Sequence, residues 1–271
     1  MGGREIPTPT VRGPITGGTK GFLFTAAPVD VGKVGYREDE YFMAGTATAE
    51  DGSPTALYPS GARVPATAPY VTRLLVRRPL DPARFNGTVI VEWLNVTSGF
   101  DIDIVAGELW RETLRSGYAY VGVSTQTAST TSLAAWDPDR YGSLHIPGDQ
   151  FSYDIFSQAA QAIRLAKVRP LGPLAVRRVV ATGASQSGNA LNTYINRVQP
   201  TIAPVLDGFL VSTSGIALAN PRVPVIRVLS EFEVWEVQPP QRDGPFFVQW
   251  EVAGAGHVDY GDSEWLFPQV T

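Results

Sequence analysis

A strand that runs into a helix through a single serine, with no loop between them, is the tightest constraint on what this chain can fold into. Arg178-Val179-Val180-Ala181-Thr182 is apolar and β-branched, as a buried strand is, and Asn189-Ala190-Leu191-Asn192-Thr193-Tyr194-Ile195 reads as helix. Between them stand Gly183-Ala184-Ser185-Gln186-Ser187-Gly188. Only small flanking side chains let a chain turn that sharply. The turn lifts the serine hydroxyl above the sheet and leaves the next backbone N–H at a helix N-terminus, where an oxyanion can be held. The G-x-S-x-G spacing holds on the first side, and Ser187 replaces glycine on the second. Ser185 is the candidate nucleophile, and the Gln186 N–H is the first candidate oxyanion donor.

A turn of this kind needs a parallel sheet around it, and the chain supplies one. From Gly87 onward, strand-like runs over residues 88–94 and 118–123 flank a helical stretch over 105–114, the β-α-β pattern. Residues 153–167 carry apolar positions at helical spacing, so a helix should pack on the sheet just before the serine strand. Further strands are expected over 208–212, 224–229 and 247–252. The first part of the chain differs. Residues 1–20 are Gly-, Pro- and Thr-rich and read as irregular, followed by short β-like runs over 21–26, 41–47 and 70–77. The Pro- and Gly-loaded residues 48–69 read as hairpin connections. Residues 127–131 read as a short polar loop. The expected fold is α/β, with a mostly parallel central sheet flanked by helices and an antiparallel N-terminal section, in one domain over residues 1–271.

Composition narrows the partners. At 271 residues, 44% hydrophobic and 18% charged, the chain has ample material for a core and no disorder is expected. The balance of 22 basic against 26 acidic residues gives a net charge of −4, and no basic stripe suggests nucleic acid. A small, neutral partner fits better, with a homo-oligomer left open. Cysteine is absent, which excludes disulfides, thiolate metal sites and a cysteine nucleophile but leaves the compartment open. The first residues lack a signal-peptide core and no apolar run could span a bilayer, so a soluble and preferably cytoplasmic chain is expected.

Histidine is scarce enough to make the search for a base sharp. His145 precedes the serine in a Pro-, Gly- and Asp-rich stretch, whereas His257 follows it, where Phe247-Val248-Gln249-Trp250-Glu251-Val252 empties into Ala253-Gly254-Ala255-Gly256. His257 is the candidate base. Between serine and histidine, just past the strand over 224–229, Ser230-Glu231-Phe232-Glu233-Val234 offers candidate acids. A carboxylate there would set the imidazole tautomer and stabilise the imidazolium.

Serine, acid and histidine in that order, each after a sheet strand, resemble the α/β-hydrolase superfamily. More narrowly, Gly183-Ala184-Ser185-Gln186-Ser187 and Trp250-Glu251-Val252-Ala253-Gly254-Ala255-Gly256-His257 resemble the bacterial "alpha/beta hydrolase domain" proteins, as do residues 86–96 and 193–196. The resemblance implies that the acid falls on the third or fourth loop residue, which favours Glu233 over Glu231, with Glu236 a distant third. It implies a second oxyanion donor in the loop after the strand over 88–94, at Asn95 or Val96. Two departures accompany it. Glu231-Phe232-Glu233 stands where the family tends to have E-T-D, and few residues follow His257, so the chain is read as either a natural short form or a fragment. Either a second copy of the chain or residues 258–271, including Trp265, Leu266 and Phe267, are expected to cover the last strand in place of a longer terminus.

The implied activity is a cofactor-independent serine hydrolase acting on a carboxylic ester or related acyl compound. A non-catalytic binding protein on the same fold and an acyltransferase are the alternatives. Asp101 and Asp103 invite a metal reading, but alternating acids read better as a solvated helix start, and no metal or other cofactor is expected. The sequons at Asn86 and Asn95 read as chance. Trp136, Tyr141, Phe151 and Trp235 are aromatic candidates for pocket walls, with core or surface packing as the alternative.

Overall fold

The computed structural model describes residues 3–50, 67–165, 170–219, 221–236 and 241–258. Among these described residues, nine strands follow one another as β1 (Thr10–Arg12), β2 (Tyr36–Thr48), β3 (Thr67–Pro79), β4 (Thr88–Trp93), β5 (Ala119–Val123), β6 (Arg178–Ala184), β7 (Gly208–Ser212), β8 (Val225–Leu229) and β9 (Phe247–Glu251). The helices between them are α1 (Ile104–Arg115), α2 (Thr127–Trp136), α3 (Pro138–Tyr141), α4 (Ser152–Arg164), α5 (Gln186–Thr193) and α6 (Glu231–Glu236). All nine strands join one sheet in the order β1-β2-β3-β5-β4-β6-β7-β8-β9. The contacts from β1 to β5 are antiparallel and those from β5 to β9 are parallel. The α/β fold with an antiparallel N-terminal section is therefore the one expected.

Burial explains why the parallel half reads as continuous apolar runs. Every residue of β5 is buried, as are Val89, Val91 and Trp93 of β4 and Val179 and Ala181 of β6, because helices cover both faces. The Trp93 ring lies 5.4 Å from Tyr153 and 5.1 Å from Phe156, both on α4, which fastens that helix to the sheet beside the serine strand. On α1, a buried carboxylate takes over the cap. Glu92 of β4 accepts from the Val105 N–H at 2.8 Å, the Ala106 N–H at 3.0 Å and the Tyr120 hydroxyl at 2.8 Å. Burial, with the Asp103 charge added, still pushes the Glu92 carboxyl well above the ordinary carboxylate range.

Four expectations are corrected. Residues 21–26 form no strand; positive φ at Gly21 (76°) and Thr25 (57°) breaks the extended run. The segment instead lies as a strap whose carbonyls receive guanidinium donors, Arg73 to Phe24 O and Arg77 to Thr25 O, both at 2.8 Å. Residues 127–131 are the first turn of α2, capped from outside by Asp149, which accepts from both the Thr127 N–H and its hydroxyl at 2.8 Å. Asp101 and Asp103 are no solvated helix start. Both are fully buried, paired with Arg73 at 3.1 Å and Arg77 at 2.7 Å. Within the segment expected to be irregular, β1 pairs with β2 over Thr10–Arg12. The end of the helix expected over 153–167, much of the 48–69 connection, and Trp265, Leu266 and Phe267 fall outside the described residues. Among the described residues, no helix is long and apolar enough to cross a membrane.

Candidate active site

Three parallel strands deliver the candidate residues to one end of the sheet. β6 ends at Ala184, and Ser185 takes φ 54° and ψ −118° before α5 begins at Gln186. A non-glycine residue at positive φ is strained, and neighbouring bonds hold it there. The Ser185 N–H reaches Ser212 O at 3.2 Å and Thr213 Oγ1 at 3.0 Å across the end of β7, and Ser185 O accepts from Asn189 N–H at 2.8 Å. Close packing of α5 on the sheet depends on Gly188, where a Cβ would stand 2.8 Å from Ser212 O and 3.0 Å from Ser214 Cβ. Ser187 is turned inward and spends its hydroxyl on Ala184, donating to its carbonyl at 2.9 Å and accepting from its amide at 3.0 Å.

The loop after β9 brings His257 over the turn. Its Nε2 lies 2.9 Å from Ser185 Oγ, and its Nδ1 is in hydrogen-bond contact with Glu233 Oε1. The two acids of the Ser230-Glu231-Phe232-Glu233 run behave differently. Glu233 is 1% exposed, and its second oxygen accepts from the Ser230 N–H at 3.0 Å and the Ser230 hydroxyl at 2.6 Å. Burial alone would raise the Glu233 carboxyl. The bonds from Ser230 and His257 more than offset it and hold the group below the ordinary carboxylate range. Glu231 is exposed and turned toward the backbone of the histidine loop, accepting from Gly254 N–H at 2.8 Å while its own N–H donates to Ala255 O at 3.2 Å. Glu236 is at the far end of α6.

A signal separating the acids was present in the sequence. Ser-x-x-Glu ahead of a helix is a capping box, in which the third helical residue reaches back to the N-cap amide. Ser230 and Glu233 form one, with the Ser230 hydroxyl accepting from Phe232 N–H at 3.3 Å and the Ser230 carbonyl accepting from Val234 N–H at 3.3 Å. Ser230 is the residue that sequence reasoning passed over.

The loop after β4 faces the serine from the other side. The Asn95 N–H pairs with Ile102 O at 3.0 Å, and its carboxamide donates to Ala184 O at 3.0 Å and accepts from Thr97 N–H at 2.8 Å. Asn95 is thus a brace between this loop and the end of β6. The Val96 N–H points to Gln186 Oε1 at 3.3 Å, and Gln186 Nε2 donates to Gln126 Oε1 at 3.0 Å, which also accepts from the Trp93 indole at 3.1 Å. A cleft of about 230 Å³ opens over Ser185 and His257, with Asn95, Thr97, Ile102, Ile104, Thr213 and Val258 among its walls. None of the four aromatic candidates is among the described lining residues. Tyr141 and Phe151 are buried, Trp136 packs on Phe24 at 5.2 Å, and Trp235 is 83% exposed. His145 is exposed, and its backbone bridges to Val71. Asn95 is 1% exposed, which removes it as a glycan acceptor.

The family model described as the alpha/beta hydrolase domain matches residues 11–269. The chain belongs to this family. No curated protein sequence matches this alpha/beta hydrolase domain protein. Among solved structures, it is similar to esterase Est22, with a TM-score of 0.50 and 12% identity over 87% of this chain and 77% of that one. It is also similar to an alpha-beta serine hydrolase homologue from Coxiella burnetii, with a TM-score of 0.47 and 10% identity over 74% of this chain and 89% of that one. At 12% identity the likeness to esterase Est22 concerns the fold alone.

Proposed function

We propose that this alpha/beta hydrolase domain protein is a serine hydrolase that cleaves a carboxylic ester or related acyl substrate through an acyl-enzyme. The observation that carries the reading is the unbroken path from Ser185 Oγ through the two nitrogens of His257 to the carboxylate of Glu233. His257 Nε2 takes the Ser185 proton as Oγ bonds to the acyl carbon. It then returns that proton to the leaving alcohol as the ester C–O bond breaks. Water, deprotonated by the same nitrogen, releases the acid and restores the serine. Glu233 orients the imidazole and, as an anion, stabilises the positive charge that His257 takes on in both halves. The Gln186 N–H, at the start of α5, is the first oxyanion donor. Val96 N–H becomes the second when the substrate oxygen takes the place now held by Gln186 Oε1. Among the described lining residues His257 is the sole titratable side chain, which suits an uncharged substrate.

A fluorophosphonate probe tests the reading, because it phosphonylates a serine only when that serine is activated. Stoichiometric labelling of the wild-type chain at Ser185, lost in Ser185→Ala, is the expected result. An unlabelled wild-type chain would instead favour the binding-protein alternative. If the wild-type chain labels and, in the absence of the probe, passes the acyl group of an ester to an added alcohol faster than to water, acyl transfer is favoured.

A further inference from the structure

One residue next to the site has its side chain spent on the candidate acid. Ser230 is 3% exposed and lies outside the cleft wall. Its hydroxyl has one proton and gives it to Glu233 Oε2 at 2.6 Å, while its backbone N–H donates to the same oxygen at 3.0 Å. The other carboxylate oxygen is thereby left for His257 Nδ1. A carboxylate at the end of a flexible glutamate stem has rotational freedom to lose before it can orient an imidazole. Two donors on one oxygen remove that freedom. The stem is short of alternatives, because the same bonds close the capping box that starts α6.

We propose that Ser230 is a positioning residue for the hydrolytic reaction, acting through Glu233 to set the orientation of His257, so that the α6 capping box and the acid–base pair are one unit. This rests on the proposed function for its kinetic consequence, but the hydrogen-bond arrangement it asserts can be tested without turnover.

The test compares Ser230→Ala with wild type, and repeats the substitution in a Glu233→Gln background. Ser230→Ala is expected to lower kcat about tenfold or more with KM changed less than about twofold, since the loss of a hydrogen bond to a charged group falls on the step that develops the imidazolium. Ser230→Thr, which keeps a hydroxyl and can cap a helix, is expected to restore most of the rate. With Glu233 already replaced, removing the Ser230 hydroxyl should change kcat less than about twofold, because a residue acting through a partner has nothing left to act on. Proton NMR supplies the readout independent of catalysis. The imidazole proton shared between His257 and Glu233 should give a downfield resonance that is lost in His257→Ala and shifted or broadened in Ser230→Ala. Should the alanine variant not fold, Ser230→Gly leaves the helix start nearly intact and serves in its place.

A kcat within about twofold of wild type, or an equal loss in both backgrounds, would overturn the proposal. If the wild-type chain neither labels nor hydrolyses, the hydrolase reading fails on its own. The resonance then decides: unchanged in Ser230→Ala, it rejects the Ser230 inference, and displaced, it upholds the positioning geometry.

Discussion

At the scale of single residues, two glutamates two positions apart make different contacts because α6 turns them to different neighbours. Glu233 faces the imidazole and Glu231 faces a backbone amide of the loop that carries it. On the proposed function, Glu233→Gln is expected to lower turnover by about 10⁴-fold, as loss of the orienting carboxylate does in serine–histidine–acid triads. Glu231→Gln keeps an oxygen to accept from Gly254 and should stay within about tenfold of wild type. Steady-state rates on a short activated ester compare the two, and the opposite ranking would assign the role to Glu231. The same group links stability to pH. Its folded pKa is depressed, so its stabilising contribution is complete above the unfolded value, about 4.3, and is lost as pH falls through the lower folded value. Urea unfolding of wild type and Glu233→Gln at neutral and acid pH should show the stability difference shrinking on acidification. A difference that grows would contradict the sign.

At the scale of elements, the contact between β6, α5 and the end of β7 sets where the serine hydroxyl stands. Gly188 is helical, and alanine at such a position would ordinarily gain about 1 kcal/mol from propensity. Here the added Cβ would meet Ser212 O at 2.8 Å, and backbone cannot rotate aside as a side chain does. Gly188→Ala is expected to destabilise by about 1–3 kcal/mol and to slow hydrolysis by lifting α5 away from β7. Thermal melting and turnover measured together check this, and a stabilised, fully active variant would show that the helix has room to shift. Residues 95–103, the loop after β4, have their own support, since Glu92 caps α1 at one end and Asn95 ties the other to Ala184.

At the scale of the whole molecule, buried ion pairs join the antiparallel section to the parallel half. Arg73 of β3 is fully buried between Glu40 of β2 at 3.0 Å and Asp101 at 3.1 Å, and Arg140 of α3 reaches Glu40 from the other side at 2.6 Å. Arg77 repeats the arrangement with Glu38 at 2.6 Å and Asp103 at 2.7 Å. Removing one partner strands a charge in the interior. Asp101→Ala is expected to cost about 3–5 kcal/mol in urea unfolding, well beyond the roughly 0–1 kcal/mol of an exposed pair. A loss at the exposed-pair level would mean that water reaches the Arg73 guanidinium in the folded state.

The sequence by itself determined the pattern of elements and the order of the chemistry. Apolar runs of strand length alternating with helical spacing specify a parallel sheet. Small residues around Ser185 permit one sharp turn, and a histidine after a later strand has few other places to go. Those are local properties, written in consecutive residues. Tertiary structure alone decided which donors and carboxylates meet. Asp101 and Asp103 read as solvated because their guanidinium partners, Arg73 and Arg77, lie on a distant strand. Residues 21–26 read as strand because the arginines that bind their carbonyls are some fifty positions away. Glu233 stands between the two cases. Its capping box is local and legible, but its bond to His257 exists only because β8 and β9 are neighbours in the sheet. Periodicity is set by covalent sequence, whereas the pairing of buried charges is set by which strands the fold brings side by side.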